Sequence, residues 1–109
     1  MKVRFLGRSA EHARAADAWW RENREAAPSL FAEKLATALR TLRNVPEMGA
    51  PYGPKSDDGV RRLLLSRTRY YVYYAYVPEE RLIGVLAIWS CLRGRPPSLR
   101  HARGLRRRP

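Results

Sequence analysis

Four arginines and four tyrosines fall between residues 59 and 74, in Gly59-Val60-Arg61-Arg62-Leu63-Leu64-Leu65-Ser66-Arg67-Thr68-Arg69-Tyr70-Tyr71-Val72-Tyr73-Tyr74. Guanidinium groups grip phosphates and carboxylates bidentately, and phenol rings stack on bases. This run is therefore the part of the chain best equipped to hold a polyanion or an acidic surface. Alternate residues of a strand share a face. That places Arg61, Leu63, Leu65 and Arg67 on one side and Val60, Arg62, Leu64 and Ser66 on the other. In a following strand Tyr70, Val72, Tyr74 and Tyr76 oppose Arg69, Tyr71, Tyr73 and Ala75. One face is expected to be core and the other a polar surface, which Arg93 and Arg95 extend. The candidate target- or phosphate-binding residues are Arg61, Arg62, Arg67, Arg69, Tyr71, Tyr73, Arg93 and Arg95. Tyrosines are also good strand formers that cover arginine stems, which is the competing account of any single one.

Proton-transfer chemistry is sparse. There are two histidines, His12 and His101, and one cysteine, Cys91, in an apolar run where a buried filler role is expected. A zinc site has nothing to be built from. Asp57-Asp58 and Glu79-Glu80 are paired carboxylates in turn-like surroundings, and no phosphate-cradling glycine pattern occurs. Neither a metal nor a cofactor is expected.

The elements that must position the arginines are legible from periodicity. Residues 2–6 alternate as a first strand, broken by Gly7. Ser9 is a helix-cap candidate whose hydroxyl accepts from the amides of Glu11 or His12. A first helix is expected to run to about Ala26, with Ala13, Ala16 and Trp20 on one face and Trp19 widening it. Pro28 suits the first turn of a second helix, striped by Leu30, Phe31, Leu35, Ala38, Leu39 and Leu42 and ended by Asn44 to Pro46. The short link predicts an antiparallel helical hairpin. Residues 46–59 are rich in proline and glycine and read as loop. Strands are expected over about 60–67, 69–77 and 81–90, with a tight turn at Thr68. The last is apolar enough to be central and covered on both faces. The fold class is α+β: an N-terminal strand, a helical hairpin, then a three-stranded antiparallel meander, with the helices on one face of the sheet. Residues 1–99 are expected to form a single domain and 100–109 a disordered basic tail.

Twenty-two basic residues against 10 acidic ones give a net charge of +12, and arginine outnumbers lysine 19 to 3. Seven of those arginines lie from Arg93 onward, a stretch without a carboxylate. The excess favours polyanions or acidic proteins as partners. Lys2, Arg4 and Arg8 interrupt any secretory leader, and no apolar run nears the roughly 20 residues that span a bilayer. A cytoplasmic protein, away from membranes, is the expectation.

Trp19-Trp20-Arg21-Glu22-Asn23, Pro28 to Leu42, Gly59-Val60-Arg61-Arg62, Tyr70 to Tyr74, Ala87-Ile88-Trp89 and Arg93-Gly94-Arg95 follow one another in an order and spacing that resemble the RelE/ParE superfamily of type II toxin–antitoxin toxins. The resemblance covers about residues 1–99. It implies a toxin held inactive by a cognate antitoxin, with a toxin–antitoxin hetero-oligomer among its forms. RelE-like members cut mRNA on the ribosome with arginines, lysines and a tyrosine or histidine, whereas ParE-like members lack much of that set and are associated with DNA gyrase. The chain departs from the nuclease pattern. Tyr71 stands where an arginine is expected ahead of Tyr74, Ser90 near the place of a histidine, and Leu99 near that of a tyrosine. Arg93 alone is kept cleanly.

Without that tyrosine or histidine, acid–base assistance at a scissile 2′-OH, typically about 10²–10⁴ in rate, lacks an agent. Arginine, with a pKa above about 12, is a poor base. The ParE-like reading is therefore favoured: inhibition of an essential target, DNA gyrase foremost. The alternatives are an mRNA endonuclease with a reduced site, using Arg61, Arg69 and Arg93, and a non-toxic binding module of the same fold.

Overall fold

A computed structural model of the chain describes residues 1–53 and 59–99; the expected tail, residues 100–109, lies outside them. The alternating first residues form β1 (Lys2–Phe5), followed by α1 (Ser9–Asn23) and α2 (Leu30–Asn44). Then come β2 (Ala50–Pro51), β3 (Val60–Leu65), β4 (Tyr70–Val77) and β5 (Leu82–Ser90). The strands make one sheet in the order β1-β5-β4-β3-β2, with β1 parallel to β5 and the other pairs antiparallel. The α+β class, the helical hairpin and the β3-β4-β5 meander are as the patterning predicts.

Both helices lie on one face. Ala16, Trp20, Phe31, Ala38 and Leu42 pack there against Leu65, Val72, Tyr74, Ile83, Val85 and Ile88. The opposite face carries a smaller core of Val60, Tyr73, Ala75, Leu86 and Ala87, closed by Leu6, Tyr52, Trp89 and Leu99. β5 is thus interior and covered on both sides, as its apolar run requires. A register shift between Tyr73↔Ala87 and Tyr74↔Val85 leaves Leu86 as an extra residue. This bulge lets Val85 and Ile88 both reach the helix side while Leu86 and Ala87 share the other.

Several local expectations are corrected. Ser9 does not cap α1. Arg8 precedes the helix, and the Ser9 hydroxyl, fully buried, donates to the Val85 carbonyl at 3.0 Å. α1 stops at Asn23 rather than Ala26, because the Trp20 indole N–H reaches the Ala27 carbonyl at 2.9 Å and the chain must be extended ahead of Pro28. Pro28 lies outside α2, whose preceding residue is Ser29, with its hydroxyl on the Glu33 carboxylate at 2.7 Å.

Residues 46–59 were expected to hold no regular element, yet Ala50 and Pro51 pair with Arg62 and Arg61 as an edge strand, a position that tolerates proline. The β3–β4 turn is also wider than Thr68 alone. It spans 66–69, with Arg67 and Arg69 at φ 68° and 62°. Buried Thr68 secures it, donating to the Leu65 carbonyl and accepting from the Tyr70 amide. Cys91 is exposed rather than buried, since β5 ends one residue before it and the chain turns outward.

Candidate functional site

The arginine–tyrosine run is contiguous in sequence and divided in space. On the outer sheet face, Arg62 sits opposite Tyr73. Its guanidinium lies 4.2 Å from the Tyr71 ring and 5.0 Å from that of Tyr52, and donates to the Tyr73 hydroxyl at 3.4 Å. That hydrogen bond favours the charged guanidinium and raises its pKa, against the opposing effect of burial. Tyr73 packs edge-on to Tyr52, their centroids 4.9 Å apart. Arg62 is therefore braced by phenols on several sides.

Arg61 points to the other face and is tied down there. It donates to the carbonyls of Gly49 at 2.6 Å and Glu47 at 3.1 Å, with the Glu47 carboxylate 3.7 Å away. Beside it the buried Tyr74 hydroxyl donates to the Pro46 carbonyl at 2.7 Å and accepts the Gly49 amide at 2.9 Å. Burial raises the pKa of this phenol, more than the Gly49 hydrogen bond and nearby Arg61 lower it. Gly49 is required here, because a Cβ would come within 2.7 Å of the Tyr74 oxygen and 2.8 Å of the Arg62 carbonyl.

Arg67 and Arg69 are exposed at the β3–β4 turn, where they border a cleft of about 420 Å³ with Trp19, Trp20 and Leu92. Arg61 pairs opposite Tyr74, five positions along β4 from Arg69. At about 3.3 Å per residue that is roughly 16 Å of strand.

The third location is the end of β5. Arg93 stacks 4.0 Å from the Trp89 ring, and the Trp89 indole N–H donates to the Arg95 carbonyl at 2.9 Å. His12 meets Trp89 edge-on, centroids 5.3 Å apart, and its Nδ1 accepts the Ile88 amide at 3.3 Å. That contact has a topological cause. β1 pairs with β5 only as far as Val85, so the edge beyond needs another acceptor, which α1 supplies. Burial lowers the pKa of His12, and Arg93 and Arg8 lower it further, with Glu11 opposing. These residues line a cleft of about 750 Å³. His12 was not among the expected site residues. The signal for it is its spacing from Ala16 and Trp20, four and eight residues on, which puts it on the buried stripe of α1.

The family model described as the ParE toxin of type II toxin–antitoxin system, parDE, matches residues 3–94. The chain belongs to the ParE toxin family. The match takes in every expected site residue except Arg95. A solved structure described as a chromosomal ParDE TA system from P. aeruginosa superposes with a TM-score of 0.63 at 20% identity, covering 83% of this chain and 95% of that one. At that identity the likeness is one of fold. No curated protein sequence matches the chain.

Within this ParE fold the three arginines of a reduced nuclease site, Arg61, Arg69 and Arg93, occupy three separate settings. Arg61 is engaged with backbone carbonyls, Arg69 is on a turn, and Arg93 lies on an indole. His12, the imidazole beside Arg93, has its Nδ1 lone pair occupied by the Ile88 amide. Neutral imidazole then presents a donor, not a base, at Nε2.

Proposed function

We propose that the chain is a growth-inhibiting toxin that binds an essential protein in the cytoplasm, DNA gyrase foremost, and that a cognate antitoxin neutralises it in a hetero-oligomer. Membership of the ParE family supports the class of function. The observation that carries the binding reading is the dispersal of Arg61, Arg69 and Arg93. Phosphoryl-transfer catalysis needs charge stabilisers and a proton-transfer group converging on one reacting phosphate. Here the guanidinium groups spread across faces and ends of the sheet, a layout that fits a broad contact surface. The residues for that surface are Arg67, Arg69, Arg93 and Arg95, with Arg62, Tyr71 and Tyr73 on the outer face and Arg61 bracing the loop beside it.

Induced expression followed by two readouts separates binding from cutting. The expected result is inhibited supercoiling by purified gyrase together with DNA-damage signalling, while cellular mRNA stays intact. Cleavage of mRNA at ribosomal A-site codons, with gyrase untouched, refutes the proposal in favour of the nuclease alternative.

A further inference from the structure

The β3–β4 turn carries long side chains where backbone geometry favours glycine. Arg67 and Arg69 sit at φ 68° and 62°, and among the described residues the only other non-glycine at positive φ is Arg81, at 50°, just ahead of β5. Gly7, Gly53 and Gly59 fill the remaining positive-φ positions. A left-handed side chain is strained because its Cβ crowds the following carbonyl. Such strain persists where the surrounding structure fixes it, and it gathers at functional positions. Thr68 fixes it here. It is 3% exposed, its hydroxyl donates to the Leu65 carbonyl at 2.8 Å and accepts the Tyr70 amide at 3.1 Å, and its own amide reaches the Leu65 carbonyl at 3.1 Å. The Arg69 carbonyl accepts the Cys91 amide at 2.8 Å, which ties the turn to the chain leaving β5. The backbone is thus anchored around two exposed arginines whose guanidinium groups have no partner among the described residues.

We propose that Thr68 is a positioning residue, holding Arg67 and Arg69 in this strained turn so that each guanidinium grips a carboxylate on the toxin's protein target. The proposal rests on the reading of the chain as a toxin that binds a protein, and it names what aims the arginines of the turn. Glycine at 67 and 69 would make a more stable turn, so the demands of the fold do not account for arginine there. What the arginines supply is charge on a backbone already fixed, which leaves less to be ordered on binding. A carboxylate meets the guanidinium fork with two parallel hydrogen bonds, and charge complementarity at a contact sets partner choice. Nucleic acid fits this point less well. Bases bind by stacking on ring faces, and the ring next to the turn, Tyr70, is half-buried and edge-on to Phe31 with centroids 5.3 Å apart.

The test compares Arg67→Gly, Arg69→Gly and Arg81→Gly in the full chain. Each removes one positive charge and one left-handed side chain, and Arg81 lies at the opposite end of β4, about 26 Å away. All three are expected to unfold at higher urea, with the folding equilibrium constant raised roughly two- to fivefold. The two turn variants should nevertheless arrest growth less and need at least about tenfold more protein to inhibit gyrase supercoiling, whereas Arg81→Gly should match the wild type. Gain of stability with loss of inhibition is an outcome that a merely structural role does not produce. Thr68→Val should lose inhibition under conditions where circular dichroism shows it folded, and Thr68→Ser, which keeps the hydroxyl, should restore it. Full inhibition by the turn variants, an equal loss in Arg81→Gly, or turn variants less stable than the wild type overturns the proposal. So does tight binding of a DNA duplex that both turn variants lose, which assigns the turn to phosphate. If the wild type arrests growth with gyrase unaffected, gyrase falls as the target, and the same ranking in growth arrest upholds the turn. A wild type that leaves growth untouched sinks the toxin reading and the target contact with it, whereas a toxic wild type with equally toxic turn variants overturns the turn alone.

Discussion

Removing one oxygen atom, in Tyr74→Phe, tests whether the chain between α2 and β3 is held by side-chain anchoring. The Tyr74 side chain is fully buried, its hydroxyl bridging the Pro46 carbonyl and the Gly49 amide at 2.7 and 2.9 Å. Without it the buried Gly49 N–H has no partner, a loss of about 1–3 kcal/mol. The Pro46 carbonyl, only partly buried, recovers water and adds about 1 kcal/mol at most. The sum of roughly 1–4 kcal/mol is a large share of the 5–15 kcal/mol typical of a domain. It corresponds to a fall in Tm on the order of 10 °C. Urea unfolding should show the midpoint shifting with an unchanged slope, since the exposed surface barely alters. A loss under about 0.5 kcal/mol would refute the reasoning, because it means water already satisfies Gly49.

Ser9→Ala should cost less, about 0.5–1.5 kcal/mol by the same denaturation assay, because the Val85 carbonyl keeps the Leu6 amide at 2.8 Å when the hydroxyl is gone. Stability should depend on pH through His12. Its folded pKa lies below 6.5, so the unfolded chain binds more protons, and stability is full above about 6.5 and falls as pH drops toward the folded value. In His12→Gln the slope of unfolding free energy between pH 7 and 5 should shrink; an unchanged slope assigns it to other groups. Arg93→Ala should weaken growth inhibition on expression, by removing a guanidinium and uncovering Trp89. Full toxicity of that variant removes Arg93 from the contact surface.

Long periodic segments were readable because one physical demand set each of them. The stripe of α2 and the apolar run of β5 had only one way to bury themselves, and both elements appear where the pattern placed them. The strand faces were also legible: Leu63, Leu65, Val72 and Tyr74 share the helix side, and Arg62, Tyr71 and Tyr73 the other. What escaped was decided by tertiary hydrogen bonds that leave no local mark. A serine ahead of a helix looks like a cap until a strand carbonyl 76 residues away competes for it. A stretch of prolines and glycines looks like loop until Tyr74 pins it beside β3 as an edge strand. The position of His12 on the α1 stripe was readable, but its partner was not, because the need arises where β1 runs out.

The same topology explains why the densest arginine run of the described chain does not make a single site. A hairpin separates neighbours twice: alternation sends Arg61 and Arg62 to opposite faces, and reversal carries Arg69 roughly 16 Å from Arg61. Tyrosines fill what is left, so that Arg62 is enclosed by phenols and Arg61 by backbone carbonyls. Convergence happens instead among arginines far apart in sequence. Arg8 and Arg24, which flank α1 at its two ends, border clefts shared with Arg93 and with Arg69 respectively, because α1 packs against β5. Charge gathered that way is spread over two clefts instead of focused on a point. A point of converging charge stabilises a transition state, whereas an extended stripe lowers the free energy of a long charged partner. Substitutions along this stripe should therefore weaken binding by comparable increments, and none should abolish activity as loss of a nucleophile or a base would.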